Sequence, residues 1–151
     1  MKTLVEWLAW WGGLGRLPKS PGTFGTLGAI PLVFLFVALG PLPYMIGTLV
    51  FILVAVFVAQ AYENIHGEHD SSSIVIDEVA GFLVAMTWVP LNLKFIGAGF
   101  FLFRLFDIWK PGPIGELDRR VKGGLGVVLD DVAAGLLVNL LLQAWLGRFA
   151  L

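Results

Sequence analysis

Long apolar stretches alternate with short polar clusters along this chain. No charged residue occurs between Ser20 and Tyr62, and a Gly/Pro-rich sequence at 40–43 interrupts this run. Because proline cannot continue a helix and pushes the residue before it out of the helical region, the interruption predicts two helices, at about 23–39 and 44–62. At 1.5 Å per residue each helix is roughly 25–29 Å long, close to the hydrocarbon thickness of a bilayer.

Three further uncharged stretches follow, at about 79–93, 95–103 and 132–147. The second of them is extended to 108 by a segment that contains Arg104 and Asp107. The three stretches are short for a bilayer crossing, so we expect them to be tilted, re-entrant or partly buried against the longer helices. Pro31 lies inside the first long helix and predicts a kink there.

The N-terminus has an amphipathic pattern, with Leu8 and Trp11 on one helical face and Lys2 and Glu6 opposite. This spacing predicts a helix that lies on the membrane interface, with its tryptophans at head-group depth.

Together the patterns predict one all-α domain over the whole chain (1–151). We expect an integral membrane helical bundle of about four to five membrane-embedded helices plus an N-terminal interfacial helix.

Counting the predicted helices places the polar segments 16–23, 63–78 and 104–131 on one side of the membrane. Eight of the ten Lys and Arg lie on that side, and only Lys94 and Arg148 lie on the other. The positive-inside rule makes the first side cytoplasmic. The polar clusters are therefore expected to converge at the cytoplasmic face.

Composition supports the membrane class and excludes several kinds of site. Hydrophobic residues make up 58% of the chain and charged residues 14%, against about 25% charged in soluble domains. A net charge of −1 offers no basic surface for nucleic acid. The absence of cysteine excludes disulfides, thiolate metal sites and cysteine-nucleophile phosphatases. Because Glu6 interrupts the apolar start and no small-residue cleavage site follows, no signal peptide is predicted.

The first acidic candidate is the pair Asp77-Glu78, which follows the apolar sequence at 74–76. This order places the pair below the head groups, where a charge is expensive and is usually paired, metal-bound or functional. The alternative is helix capping, since Ser71–Ser73 precede the pair and acidic side chains favour the positive end of a helix.

A second cluster contains Arg104, Asp107 and Lys110, just before Pro111. Arg104 and Asp107 share a helical face, so they could form a simple ion pair worth a few tenths of a kcal/mol. Alternatively, two cations and a carboxylate at the membrane edge would suit a phosphate and its metal ion.

A third cluster is Asp130-Asp131, which follows a glycine-rich sequence at 123–126. We expect the glycines to form a flexible loop that leads into the last apolar helix. Helix-start electrostatics could explain the pair. However, adjacent carboxylates repel each other unless they face apart or a cation sits between them, and such hard oxygen ligands select Mg²⁺ or Mn²⁺ rather than zinc.

The remaining polar candidates are weaker. The basic turn that contains Arg16 and Lys19 precedes a helix whose N-terminus could offer N–H groups to an anion. His66 and His69 have the spacing of a metal pair, but their loop setting favours two solvated histidines.

There is no phosphate-binding loop of the NTPase type and no DxDxT motif. The two histidines share one loop, which argues against a histidine-nucleophile lipid phosphatase.

Taken together, the motifs resemble the phosphatidylglycerophosphatase A family of bacterial lipid phosphatases. The resemblance rests on GRLPKSPGTFGTL (15–27), Asp70 with IVIDEVAG (74–81), FRLFDIWKPGPI (103–114) and GGLGVVLDDVAAG (123–135). These segments cover most of the chain in order. One departure is Gly112, where the family often has an aromatic residue, and we expect this difference to affect lipid contact rather than chemistry.

The resemblance implies an Mg²⁺-dependent enzyme that removes the terminal phosphate of phosphatidylglycerophosphate in the bacterial inner membrane, with its active site facing the cytoplasm. The phospholipid and the membrane are then its partners. In this interpretation the residues have the following roles. The metal ligands are Asp77, Glu78, Asp130 and Asp131, the catalytic residues are Asp77, Glu78, Asp107 and Asp131, and the phosphate-binding residues are Arg104 and Lys110, assisted by Arg16 and Lys19.

Alternatives remain open at this point. Attack by water and a phospho-aspartate intermediate are both compatible with the residues. A phosphatase for another phospholipid or for a polyprenyl phosphate would use the same cluster. A small transporter would instead carry a cation past its buried carboxylates, and its charges should then line a path to both faces.

Overall fold

The computed structural model describes residues 2–68 and 71–147, apart from the side chain of Asp118. Within these ranges the chain forms helices and no strand, which confirms the all-α prediction. The helices are α1 (Lys2–Ala9), α2 (Pro21–Leu39), α3 (Pro41–His66), α4 (Ile76–Ala85), α5 (Leu93–Trp109), α6 (Pro113–Arg120) and α7 (Gly123–Trp145), with a short 3₁₀ turn at Leu14–Arg16.

Three of these helices, α2, α3 and α7, are long and apolar enough to cross a membrane. The break between α2 and α3 is a single residue, Gly40, whose φ of 102° lies in the left-handed region that favours glycine. Pro41 occupies the first turn of α3, where proline needs no N–H partner. The predicted interruption is therefore shorter than expected. The kink predicted at Pro31, which lies inside α2, stays a prediction.

Helix α4 is short and central. Eight of its ten residues are buried, and its length of roughly 15 Å is about half of a bilayer core. Its C-terminal carbonyls are satisfied by side chains: the Tyr44 hydroxyl donates to Leu83 O at 2.7 Å, and Asn139 Nδ2 donates to Ala85 O at 3.0 Å. A helix can end inside an apolar bundle only with such partners. The expectation of a partly buried stretch is confirmed here.

Close packing of α4 against α7 depends on two glycines. A Cβ on Gly81 would lie 2.6 Å from the carbonyl oxygen of Asp131, and one on Gly135 would collide with the carbonyl of Gly81. Small residues allow helix backbones to approach in this way. The approach brings the first turn of α4 alongside the second and third turns of α7.

The glycine-rich sequence at 123–126 is not the flexible loop that we predicted. It forms the first turn of α7, and the Gly124 N–H donates to Gln60 Oε1 on α3 at 3.0 Å. A Cβ on Gly124 would collide with the backbone of Val56. These glycines therefore serve helix packing, and Asp130-Asp131 lie well inside α7. Helix-start electrostatics is consequently the wrong explanation for the acidic pair.

The N-terminal helix is present, and it packs against the end of α3. Trp10 Nε1 donates to the Tyr62 hydroxyl at 3.3 Å, and Val75 N donates to Ala9 O at 2.9 Å. His66 pairs with Glu6 at 3.0 Å, which agrees with a surface role for this histidine. His69 and Asp70 lie outside the described residues. The position of α1 on a membrane interface stays a prediction.

Candidate active site

A polar cavity of about 270 Å³ opens at one end of the bundle, where α2 and α4 begin and α5 ends. Its walls come from four parts of the chain that are far apart in sequence, at 20–23, 71–78, 104–110 and 127–131. The lining residues are Ser20–Thr23, Ser71, Ser72, Ile74, Asp77, Glu78, Arg104, Asp107, Ile108, Lys110, Val127, Asp130 and Asp131. The three polar clusters therefore converge, as the topology predicted.

Three carboxylates form the centre of the cavity. Asp77, Glu78 and Asp131 each offer one oxygen, and these oxygens lie within 4.8 Å of one another. Asp77 and Asp131 are only 8% and 3% exposed. Asp77 lies in the first turn of α4, but the N-cap is Val75 and no side chain caps the helix. The acidic pair is thus directed towards Asp131 rather than used as a cap.

The donor set fits a hard divalent cation. Asp77 Oδ1 and Glu78 Oε2 are buried and have no hydrogen-bond partner, which is costly for a carboxylate unless a cation compensates. The cluster contains only carboxylate oxygens, the ligands that Mg²⁺ and Mn²⁺ prefer. The residues present can therefore hold such an ion.

Burial and mutual repulsion also shift the protonation of the two acids on α4, which is too short to span a bilayer. Burial, and then the charge of Glu78, raises the pKa of Asp77 well above its usual range. Burial, followed by the charge of Asp131, raises the pKa of Glu78 to about 8. Glu78 therefore favours the protonated form at neutral pH unless a cation lies among the carboxylates. The charged form of Asp77 is disfavoured for the same reasons.

Two cations flank the carboxylates. Arg104 Nη1 forms an ion pair with Asp107 on the same helix and lies 3.7 Å from Glu78 Oε1. Lys110 Nζ lies 2.6 Å from Asp130 Oδ2 and so links the end of α5 to α7. Asp130 and Asp131 thus point to different partners. Asp130 lines the cavity, but it is not part of the three-carboxylate cluster, and its role as a metal ligand stays a prediction.

The backbone at the cavity edge adopts uncommon conformations. Ser20, which precedes α2, and Lys110, which ends α5, have φ values of 50° and 47°. Non-glycine residues rarely occupy this left-handed region, and such strain clusters at functional sites. Both residues line the cavity.

Arg16 and Lys19 lie elsewhere. Both are exposed, and neither is among the described residues that line the cavity. The Arg16 guanidinium lies over the ring of Trp10, 4.9 Å from its centroid. Their proposed help in binding phosphate would act from outside the cavity, and it stays a prediction.

Small residues lie next to the carboxylates, and the sequence interpretation named none of them as a site residue. It gave only the helix N-terminus after the basic turn a possible role, as a donor of N–H groups to an anion. The start of α2 approaches so closely that a Cβ on Gly22 would lie 2.9 Å from Arg104 Nη1. Ser71 and Ser72 also line the cavity. Their position in the sequence, beside the basic turn and the acidic pair, is the feature that could have identified them as site residues. The N-termini of α2 and α4 also favour an anion here.

Comparison with known proteins gives a consistent result. A family model described as Phosphatidylglycerophosphatase A matches residues 7–146. A phosphatidylglycerophosphatase A of Escherichia coli K12 is 38% identical over 126 residues, which cover 83% of this chain and 73% of that protein. The corresponding Haemophilus influenzae protein is 37% identical over 139 residues, or 89% and 85% of the two chains.

A third relative has a different name. A Bacteroides thetaiotaomicron protein named as a candidate phosphatidylinositol-3-phosphatase is 35% identical over 131 residues, covering 82% of this chain and 81% of its own. No solved structure matches the chain. The length of the family match and the identity with two relatives show that this chain is an enzyme of the phosphatidylglycerophosphatase A family of phosphatases.

Proposed function

We propose that this protein hydrolyses the terminal phosphate monoester of phosphatidylglycerophosphate to phosphatidylglycerol and phosphate, at the cytoplasmic face of the bacterial inner membrane. The observation that carries the proposal is the cavity in which Asp77, Glu78 and Asp131 converge beside Arg104, at one end of an apolar bundle. The names of two relatives supply the substrate.

In this proposal Asp77, Glu78 and Asp131 hold Mg²⁺, with Asp130 or Asp107 available as a further ligand. When bound, the ion would neutralise charge on the phosphate and polarise its oxygens. Arg104 is placed to bind the phosphate oxygens, because its ion pair with Asp107 fixes its position. The Lys110 ammonium, which pairs with Asp130, adds positive charge to the cavity wall.

Hydrolysis consumes one water and breaks the bond between phosphorus and the glycerol oxygen. Asp107 lines the cavity and forms an ion pair with Arg104. It is not a member of the three-carboxylate cluster. We assign Asp107 the proton of the attacking water, which it then returns to the leaving glycerol oxygen, so that the products are an alcohol and phosphate. If a carboxylate attacks instead, a labelled phospho-enzyme should be trapped after acid quenching. Its absence under single-turnover conditions would support the water route.

The arrangement of charge argues against a transporter. Among the described residues the buried acidic side chains are Glu63, Asp77, Asp130 and Asp131. All four lie towards the cavity end of their helices, so they do not mark a path to the opposite face. A cation in transit would need polar groups along the whole path.

A second substrate has one observation in its favour, the name of the Bacteroides relative. The test is phosphate release by the purified protein from phosphatidylglycerophosphate, phosphatidic acid, phosphatidylinositol 3-phosphate and a polyprenyl phosphate, with Mg²⁺ or with EDTA. We expect Mg²⁺-dependent release that is fastest from phosphatidylglycerophosphate. Faster release from another lipid would change the substrate, and no release from any lipid would favour the transporter.

A further inference from the structure

One face of α5 is apolar and exposed directly beside the polar cavity. Phe101, Leu105, Ile108 and Trp109 are 67%, 41%, 72% and 68% exposed and recur at helical spacing. They line a shallow depression of about 260 Å³. In a membrane protein, contact with bulk lipid is enough to explain such a face. A role in substrate binding therefore has to be argued from the position of the face relative to the cavity.

The depression and the cavity share part of their walls. Arg104 and Ile108 line both. Ile108 is therefore an exposed apolar side chain at the edge of a cavity whose centre is built from carboxylates. The cavity and the apolar depression on α5 are therefore directly adjacent and meet at Arg104 and Ile108.

The direction of the face suits a lipid. From Trp109 to Phe101 it runs away from the cavity for eight residues, or roughly 12 Å along the helix axis. An alkyl chain attached to a phosphate beside Arg104 would continue over Ile108 and along these side chains without leaving an apolar surface.

We propose that this face of α5 binds an acyl chain of the substrate lipid, which enters the cavity sideways from the bilayer. The inference rests on the proposed function, because it takes the phosphate of a lipid to be the group that occupies the cavity. It adds the position of the chain and the side from which the substrate arrives.

A competing apolar groove provides the matched control. It lies between α7 and residues 111–114, which include the start of α6, and it has a volume of about 400 Å³. Leu136 and Leu140 are among its lining residues. Although larger, it shares no described lining residue with the polar cavity. Leu136 is 53% exposed and Leu105 is 41% exposed, so Leu105→Gln and Leu136→Gln disturb similar lipid-facing positions.

The test measures phosphate release from dipalmitoyl and dihexanoyl phosphatidylglycerophosphate in detergent. Leu105→Gln should raise the half-saturating concentration of the long-chain substrate by roughly fivefold, because apolar contact with the chain is lost. The dihexanoyl substrate should be affected little, and Leu136→Gln should match the wild type on both. A wild type that releases no phosphate from either lipid would instead refute the proposed function.

Other outcomes overturn the inference alone. These are a long-chain defect in Leu136→Gln rather than Leu105→Gln, an equal defect on both chain lengths, or no defect in either variant. A second measurement uses the wild type and a phosphatidylglycerophosphate with a diazirine in one acyl chain. Crosslinks should map to 101–109 and decrease with unlabelled substrate. Crosslinks that are confined to α7, or that do not respond to competitor, would contradict the proposal.

Discussion

Gly81 and Asp131 meet where α4 packs against α7, and a Cβ on Gly81 would lie 2.6 Å from the carbonyl oxygen of Asp131. The same contact places the carboxylate of Asp131 beside those of Asp77 and Glu78. The packing of α4 against α7 and the geometry of the acidic cluster therefore both depend on the absence of a Cβ at Gly81.

We predict that Gly81→Ala separates the two helices, destabilises the protein by about 1–3 kcal/mol and greatly reduces Mg²⁺-dependent activity. Unfolding in detergent and phosphate release are the measurements. Gly97→Ala on α5 is the matched control, since a Cβ there meets nothing within 4 Å. Equal effects of the two substitutions would contradict the role assigned to the contact.

Asp131→Asn should abolish turnover while the protein stays folded in detergent. We expect a loss of more than roughly a hundredfold, because an important ligand of the cation is removed. Mg²⁺ should raise the Tm of the wild type but not of this variant. Glu116→Gln, which affects an exposed ion pair with Arg120 on α6, should change neither quantity. Near-normal activity of Asp131→Asn would remove the metal-site assignment.

The cations should differ in importance according to their position. Arg104→Ala removes a cation from the cavity wall and should cost roughly a hundredfold or more in kcat/KM. Arg16→Ala and Lys19→Ala should have smaller effects that diminish at high salt, because these exposed charges act from a distance. A salt-independent loss in Arg16→Ala as large as that in Arg104→Ala would place Arg16 at the phosphate.

Activation by the metal ion should depend on pH. The pKa of Glu78 is raised to about 8, so below that pH a cation must displace a proton. The Mg²⁺ concentration that gives half-maximal activity should therefore fall as pH rises from 6 towards 8. Activity can be titrated with Mg²⁺ at each pH. A half-maximal concentration that does not change over this range would show that the acids are already ionised.

Because the natural chain has no cysteine, its orientation can be tested directly. In spheroplasts a membrane-impermeant maleimide should label Leu93→Cys, at the end of α5 opposite the cavity. Glu68→Cys, at the cavity end, should be labelled only after lysis. Both positions are exposed, and the wild type serves as the unlabelled control. The reverse pattern would place the active site outside the cytoplasm.

The sequence predicted well what depends on local pattern. An uncharged run interrupted at 40–43 is sufficient to define α2 and α3, since length and apolar composition determine whether a helix can cross a bilayer. Segregation of charge likewise predicted that the acidic clusters share one end. The glycines at 123–126 were misjudged because glycine permits both loops and close helix packing, and only the partner helix decides between them.

The sequence by itself determined that this is an apolar helical protein whose acidic residues and most of whose basic residues gather at one end, because solvation excludes unpaired charge from the interior of the bundle. Only the tertiary structure separated Asp130, paired with Lys110, from Asp131, beside Asp77 and Glu78. Neighbouring residues on a helix point about 100° apart. Which of the two faces α4 is therefore decided by how the helices pack against each other.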